Sequence, residues 1–116
     1  MLKKNRNFKK CLITGISGSG GSYLAQYLRR KNKNLKILGT TRRDSFKLKK
    51  ELRKVAKIKK LDLNNFSKLK QFLRSNKPDL IYHLASYADV RKSFLKPTEV
   101  IENNYKITIN LLEAIK

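Results

Sequence analysis

Hydrophobic residues along the chain change period several times, and each change marks an element. Residues 10–14 (Lys-Cys-Leu-Ile-Thr) form a short apolar run that ends at Gly15, the pattern of a parallel strand buried on both faces. After a cluster of glycines, Tyr23, Leu24, Tyr27 and Leu28 recur at helical spacing and predict the apolar side of a first helix. Residues 35–41 predict a second strand. Residues 46–56 predict a short basic helix with Phe46, Leu48, Leu52 and Val55 on its apolar side, and residues 58–63 a third strand. Asn64 or Asn65 supplies an N-cap for a helix carrying Phe66, Leu69, Phe72 and Leu73. That helix stops before Pro78, because the residue preceding a proline avoids the α region. Residues 79–84 predict the fourth and most apolar strand. A last helix starts at Thr98, with Ile101, Tyr105, Thr108, Leu112 and Ile115 as its expected inner face.

The sum is four βα units. Right-handed crossovers between parallel strands make these the N-terminal half of a Rossmann-like, doubly wound α/β sheet with expected strand order 3-2-1-4. No repeat and no Pro/Gly/Ser-rich linker interrupts the chain, so residues 1–116 are expected to form one domain. The outer edge of the fourth strand has no further strand to cover it, which predicts low solubility or self-association.

Composition narrows the class. With 40% hydrophobic and 32% charged residues, the 116-residue chain is too apolar for a disordered segment. No apolar run approaches the ~20 residues that span a bilayer, so no membrane partner is expected. The basic first ten residues lack the apolar stretch and cleavage site of a secretory signal. The single cysteine, Cys11, has no partner for an internal disulfide or a metal cluster. A cytoplasmic location follows as the expectation.

The net charge of +21, from 29 Lys and Arg against 8 Asp and Glu, would by itself draw nucleic acid or an anionic membrane. A basic nucleic-acid-binding module is therefore one alternative reading. The lysines are spread along the chain without interleaved aromatics, and they accompany many asparagines and isoleucines, as in an AT-rich genome. A run such as Lys47, Lys49, Lys50, Arg53 and Lys54 then reads as a solvated helix face.

The segment Thr14-Gly15-Ile16-Ser17-Gly18-Ser19-Gly20-Gly21-Ser22 carries the chemistry. It lies where a strand ends and a helix begins, the context that gives a glycine motif meaning. A helix N-terminus presents unpaired N–H groups and partial positive charge, and it binds phosphate when no side chain blocks the approach. Gly15 permits the tight turn, Gly18 the close contact with a pyrophosphate, and Gly21 the packing of helix on strand. An NTPase P-loop needs a lysine at position 21 to reach the outer phosphates, and Gly21 stands there.

The end of the second strand bears on which dinucleotide. An acid there would bond the ribose hydroxyls of NAD, whereas this chain has Thr40, Thr41, Arg42 and Arg43, with Asp44 only afterwards. Two guanidiniums can fork onto a 2′-phosphate, so NADP is expected over NAD.

At this point the residues resemble a known family. Residues 14–24 (TGISGSGGSYL) look like the cofactor loop of the extended short-chain dehydrogenases, the NAD-dependent epimerase/dehydratase family, and within it of the GDP-mannose 4,6-dehydratases. The likeness continues through residues 39–45 (GTTRRDS), Leu61-Asp62-Leu63, residues 81–94 (IYHLASYADVRKSF) and residues 110–116 (NLLEAIK). The resemblance implies that Gly15, Ile16, Ser17, Gly18, Ser19 and Gly20 contact the pyrophosphate, with Gly21 behind them. It places Arg42 and Arg43 at the 2′-phosphate, and Asp62 and Leu63 beside the adenine, Asp62 accepting from its amino group. Leu84, Ala85 and Ser86 would line the cofactor after the fourth strand. It further implies a nucleotide-sugar substrate and a homo-oligomer for the complete enzyme. An epimerase or reductase acting on another nucleotide sugar is the alternative within the family.

Three departures stand out. Tyr87, Ala88 and Asp89 replace a Gln-Ser-His run of the dehydratases; Glu99 falls where the family has a cofactor-contacting tyrosine; and Ile107 occupies a position usually held by glycine. The family's Tyr-x-x-x-Lys pair handles the sugar hydroxyl proton. Only Tyr27 with Lys31 has that spacing here, on the first helix, away from the expected nicotinamide. No catalytic residue is therefore assigned. The chain is expected to be an N-terminal, cofactor-binding portion whose catalytic and sugar-binding parts lie outside it. His83 is expected to be a core residue.

Overall fold

The apolar runs within residues 10–14 and 35–41 become strands because their side chains alternate between two faces and both faces are covered. A computed structural model describes residues 8–44, 48–86 and 94–116. Within it β1 (Lys10–Thr14), β2 (Lys36–Thr41), β3 (Lys57–Lys60) and β4 (Leu80–His83) lie parallel in the order β3-β2-β1-β4. This is the expected 3-2-1-4 arrangement. Leu12 in the centre pairs with Leu38 on one side and Ile81 on the other.

Helices α1 (Ser19–Lys31) and α2 (Lys50–Val55) cover one face, and α3 (Phe66–Asn76) and α4 (Pro97–Ile115) cover the other. β1 divides its side chains accordingly. Leu12 joins Leu38, Leu69, Phe72, Leu73, Ile107 and Leu111, while Cys11 and Ile13 join Ala25, Ile37, Leu48 and Leu52. Burying each leucine, isoleucine or phenylalanine among them contributes ~1.5–3 kcal/mol before entropy is counted. Burial also pushes the Cys11 thiol up to about 11, with the nearby Asp79 carboxylate adding to the effect.

Local chemistry sets the ends of the elements. Asn65 caps α3 by accepting from the Lys68 N–H at 3.1 Å. Lys77, just before Pro78, ends that helix in the left-handed region at φ 45°. Asp79 then accepts from the N–H groups of Lys9 and Lys10 at 2.9 and 3.0 Å, clamping β4 to the start of β1.

The structure corrects several expected faces. β3 ends at Lys60 and β4 spans Leu80–His83, both shorter than expected, although Leu61 and Leu63 beyond β3 are buried. β4 is half-buried throughout, as an edge strand is. On α1 the buried residues are Gly21 and Ala25, while Tyr23 and Tyr27 are exposed. Phe66 is likewise at the surface of α3. On α4 the buried stripe is Val100, Ile107, Leu111 and Ala114; the expected inner residues Ile101, Tyr105, Leu112 and Ile115 are 52–69% exposed and Thr108 is half-buried. The expected role of Phe46, and the substitutions at Tyr87, Ala88 and Asp89, lie outside the described residues.

Candidate functional site

At the carboxyl ends of the strands, between β1 and β4, chain direction diverges: β1 leads to α1 on one face and β4 towards α4 on the other. Open α/β sheets form their ligand crevice at this kind of switch point. A cavity of about 570 Å³ lies there, within the range of small-molecule and cofactor sites. It is lined by Gly15, Ser17, Gly18, Ser19, Gly20, Gly21, Arg42, Arg43, Asp62, Leu63, Leu84, Ala85 and Ser86. Thirteen of the fourteen expected cofactor-binding residues thus converge on one cleft.

Two glycines make the floor possible. Gly15 has φ +67°, and a Cβ there would come within 2.7 Å of the Ala85 Cα. A Cβ on Gly21 would stand 2.5 Å from the Gly15 carbonyl oxygen and 2.7 Å from the Ile16 Cα, so α1 approaches the loop after β1 only because Gly21 is bare. Gly18 starts α1 without a side-chain cap, and no acid occupies the first turn. The amides of that turn have no intrahelical acceptor and open onto the cleft, where they and the helix dipole favour an anion.

The exception is Ile16. Its side chain is fully buried over Gly39, and its N–H donates to the Thr40 carbonyl at 3.1 Å. It therefore braces the loop from behind and does not line the cleft. The brace continues through the Ser22 hydroxyl, which donates to the Ile16 carbonyl, and through Ser17 and Thr41, whose hydroxyls lie 2.8 Å apart.

At the end of β2, Arg42 and Arg43 are exposed on the cleft rim. Asp44, whose carboxylate would repel a second phosphate, is paired with Lys60 at 2.8 Å. Asp62 reaches the cleft while its Oδ1 accepts from the Asn64 N–H at 2.9 Å, an Asx turn that fixes the loop before α3. Its second carboxylate oxygen is not needed for that turn.

Four lining residues were not among the expected ones: Thr40, Thr41, Leu61 and Ile107. The first three end β2 or follow β3, and the rule that ligands sit at the carboxyl ends of strands would have found them. Ile107 carries no such signal, since it arrives from the middle of α4. Tyr27 and Lys31 are not in the cleft; the Lys31 ammonium sits 5.6 Å from the centre of the Tyr27 ring on the surface of α1.

Beneath the cleft, His83 Nδ1 lies 2.7 Å from the Thr14 hydroxyl and Nε2 lies 3.0 Å from the Thr108 hydroxyl. Burial lowers the imidazole pKa below its ordinary value.

A doubly wound sheet with an uncapped, glycine-lined helix mouth at its switch point defines a nucleotide-binding type of α/β domain. The chain belongs to the NAD dependent epimerase/dehydratase family, whose sequence profile matches residues 11–116. It is 34% identical over 120 residues to a GDP-mannose 4,6-dehydratase of Vibrio cholerae, covering 95% of this chain and 32% of that protein. It is 36% identical over 115 residues to dTDP-D-glucose 4,6-dehydratase of Dictyostelium discoideum, covering 93% and 26%. Among solved structures, a UDP-glucose 4-epimerase of Thermus thermophilus in complex with NAD superposes with a TM-score of 0.74 at 26% identity, covering 90% of this chain and 33% of that one. The chain thus spans about a third, or less, of the length of these relatives.

Proposed function

We propose that this chain is the dinucleotide-binding portion of a nucleotide-sugar dehydratase resembling the GDP-mannose 4,6-dehydratases, and that its cleft takes NADP in preference to NAD. One observation carries the reading. The bare helix mouth that suits a pyrophosphate shares a cleft with two exposed arginines, and the neighbouring Asp44 carboxylate is paired with Lys60. In this reading Gly15, Gly18, Ser19 and Gly20 hold the pyrophosphate, Arg42 and Arg43 the 2′-phosphate, and Asp62 and Leu63 the adenine, and their position on one cleft supports it. Leu84, Ala85 and Ser86 form the opposite wall.

The relatives' names support a nucleotide-sugar substrate for the complete enzyme. The assignment to this chain is binding, with the acid–base chemistry supplied from elsewhere in the protein. Among the described residues no helix is long and apolar enough to cross a membrane. The exposed Ile101, Tyr105, Leu112 and Ile115 on α4 support a homo-oligomer of the complete enzyme.

Titration with NADPH and NADH, followed by nicotinamide fluorescence, tests the reading. NADPH should bind at least about tenfold more tightly, a preference of ~1.4 kcal/mol, and the double variant Arg42→Ala, Arg43→Ala should lose that preference. Equal affinities in the unmodified chain would refute the NADP assignment, and failure to bind either nucleotide would refute the cleft.

A further inference from the structure

His83 sits one residue before the wall formed by residues 84–86, and its hydrogen bonds have a single consistent direction. The Thr108 hydroxyl donates to the Asn104 carbonyl at 3.0 Å, so it can only accept from the imidazole Nε2, also at 3.0 Å. The ring proton therefore resides on Nε2, and Nδ1 accepts from the Thr14 hydroxyl at 2.7 Å. Thr14 Oγ1 in turn accepts from the Ala85 N–H at 3.1 Å. One run of bonds links Ala85, Thr14, His83, Thr108 and Asn104.

That run joins three parts of the cleft. Thr14 precedes Gly15, where a Cβ would meet the Ala85 Cα at 2.7 Å, so the Thr14–Ala85 bond sets how near the glycine loop lies to the opposite wall. Thr108 adjoins Ile107, the cleft residue from α4. A proton on Nδ1 would reverse the first bond: Nδ1–H would donate to Thr14 Oγ1, and the fully buried Thr14 hydroxyl would lose its acceptor. The groups hydrogen-bonded to the ring are Thr14 from β1 and Thr108 from α4, the latter tied to the Asn104 carbonyl. Among the described residues no charged side chain contributes to the shift of the imidazole, which has burial as its cause.

We propose that His83 is a positioning residue for this cleft: its neutral imidazole, acting through Thr14 and Thr108, holds the glycine loop, Ala85 and α4 at the separation that dinucleotide binding requires, and uptake of a proton releases them. The proposal rests on the dinucleotide reading above. Calorimetric titration of the full chain with NADP from about pH 7.5 to about pH 4.5 should show affinity falling severalfold, and only below the ordinary imidazole range, because burial holds the ring pKa down. His83→Asn, whose amide oxygen can accept from Thr14 but does not titrate, should give a flatter profile. Protonation of the ligand's own phosphate is common to both proteins and cancels in their ratio. Thr14→Val should weaken binding about tenfold at neutral pH, and Thr14→Ser should restore it.

Identical pH profiles for the unmodified chain and His83→Asn would overturn the proposal, as would Thr14→Val binding normally. Should His83→Asn not fold, the imidazole ¹⁵N shifts of the unmodified chain decide instead, and a proton on Nδ1 at neutral pH overturns it. If the unmodified chain binds no NADP at any pH, the functional reading fails and the tie is judged by amide exchange at Ala85. Thr14→Val should then speed that exchange, and unchanged exchange would overturn the proposal.

Discussion

Gly20 and Gly21 are adjacent in sequence, share a helix turn, and should respond to the same substitution with opposite signs. A methyl group on Gly21 would stand 2.5 Å from the Gly15 carbonyl oxygen, short of the 3.4 Å of ordinary contact by about 0.9 Å. The obstruction is main chain on both sides, since the Ile16 Cα is 2.7 Å away, so α1 must lift from β1. Overpacking of this kind costs ~1–3 kcal/mol, against which the better helix propensity of alanine returns at most ~1 kcal/mol. Gly21→Ala should therefore destabilise by ~1–2 kcal/mol and lower Tm by roughly 4–8 °C. At Gly20 nothing lies within 4 Å of the added carbon. Gly20→Ala should keep only the propensity and unfolded-chain terms and raise Tm by about 2–4 °C. Thermal unfolding followed by far-ultraviolet circular dichroism reads both shifts. Because Gly20 lines the cleft, the stabilised variant should also bind NADPH about tenfold more weakly, a separation of stability from binding. Tm shifts of the same sign in the two variants would refute the packing argument.

Three further outcomes follow. The N–H groups of Lys9 and Lys10 hold the Asp79 carboxyl below its ordinary value of 3.8, so its stabilisation is complete above that value and is lost as pH falls through the lower folded pKa. Asp79→Asn should therefore be less stable than the unmodified chain at neutral pH, with the gap closing below about pH 3 in urea melts; a gap independent of pH would exclude the clamp. Lys77 holds φ 45°, and Lys77→Gly should relieve the left-handed strain and raise stability by ~0.5–1 kcal/mol, whereas a loss would mean the lysine stem packs usefully. Tyr105→Glu with Leu112→Glu, both on the exposed side of α4, should leave the melt nearly unchanged and weaken self-association in sedimentation runs; an unmodified chain that stays monomeric at every concentration would remove the support this face gives to self-association.

The parallel sheet was legible chiefly from β1 and β2, short apolar runs buried under both covering layers, whereas β3 is Lys-Ile-Lys-Lys and owes its place to the buried Leu61 and Leu63 that follow it. The cleft was legible for a related reason: backbone that must approach a phosphate closely tolerates few residues other than glycine. What misled was size. Tyr23 and Tyr27 dominate the periodicity of α1, yet close approach to the sheet selects Gly21 and Ala25, which contribute little hydrophobic signal. α4 carries two apolar stripes at similar spacing, and only packing against α3 and the sheet determines that Ile107 and Leu111 turn inward while Leu112 and Ile115 do not. The wall contributed by Ile107 was hidden for the same reason, because it depends on how a distant helix is rotated.

The single thiol has a practical consequence. Cys11 lies fully buried in the central strand, hydrogen-bonded to neighbours on both sides, and its proton is held up to about 11. A disulfide reagent at neutral pH meets neither an accessible sulfur nor a thiolate. Modification must await separation of the sheet itself, so its slow rate, measured with and without nucleotide, would time whole-domain opening in the chain without any engineered label.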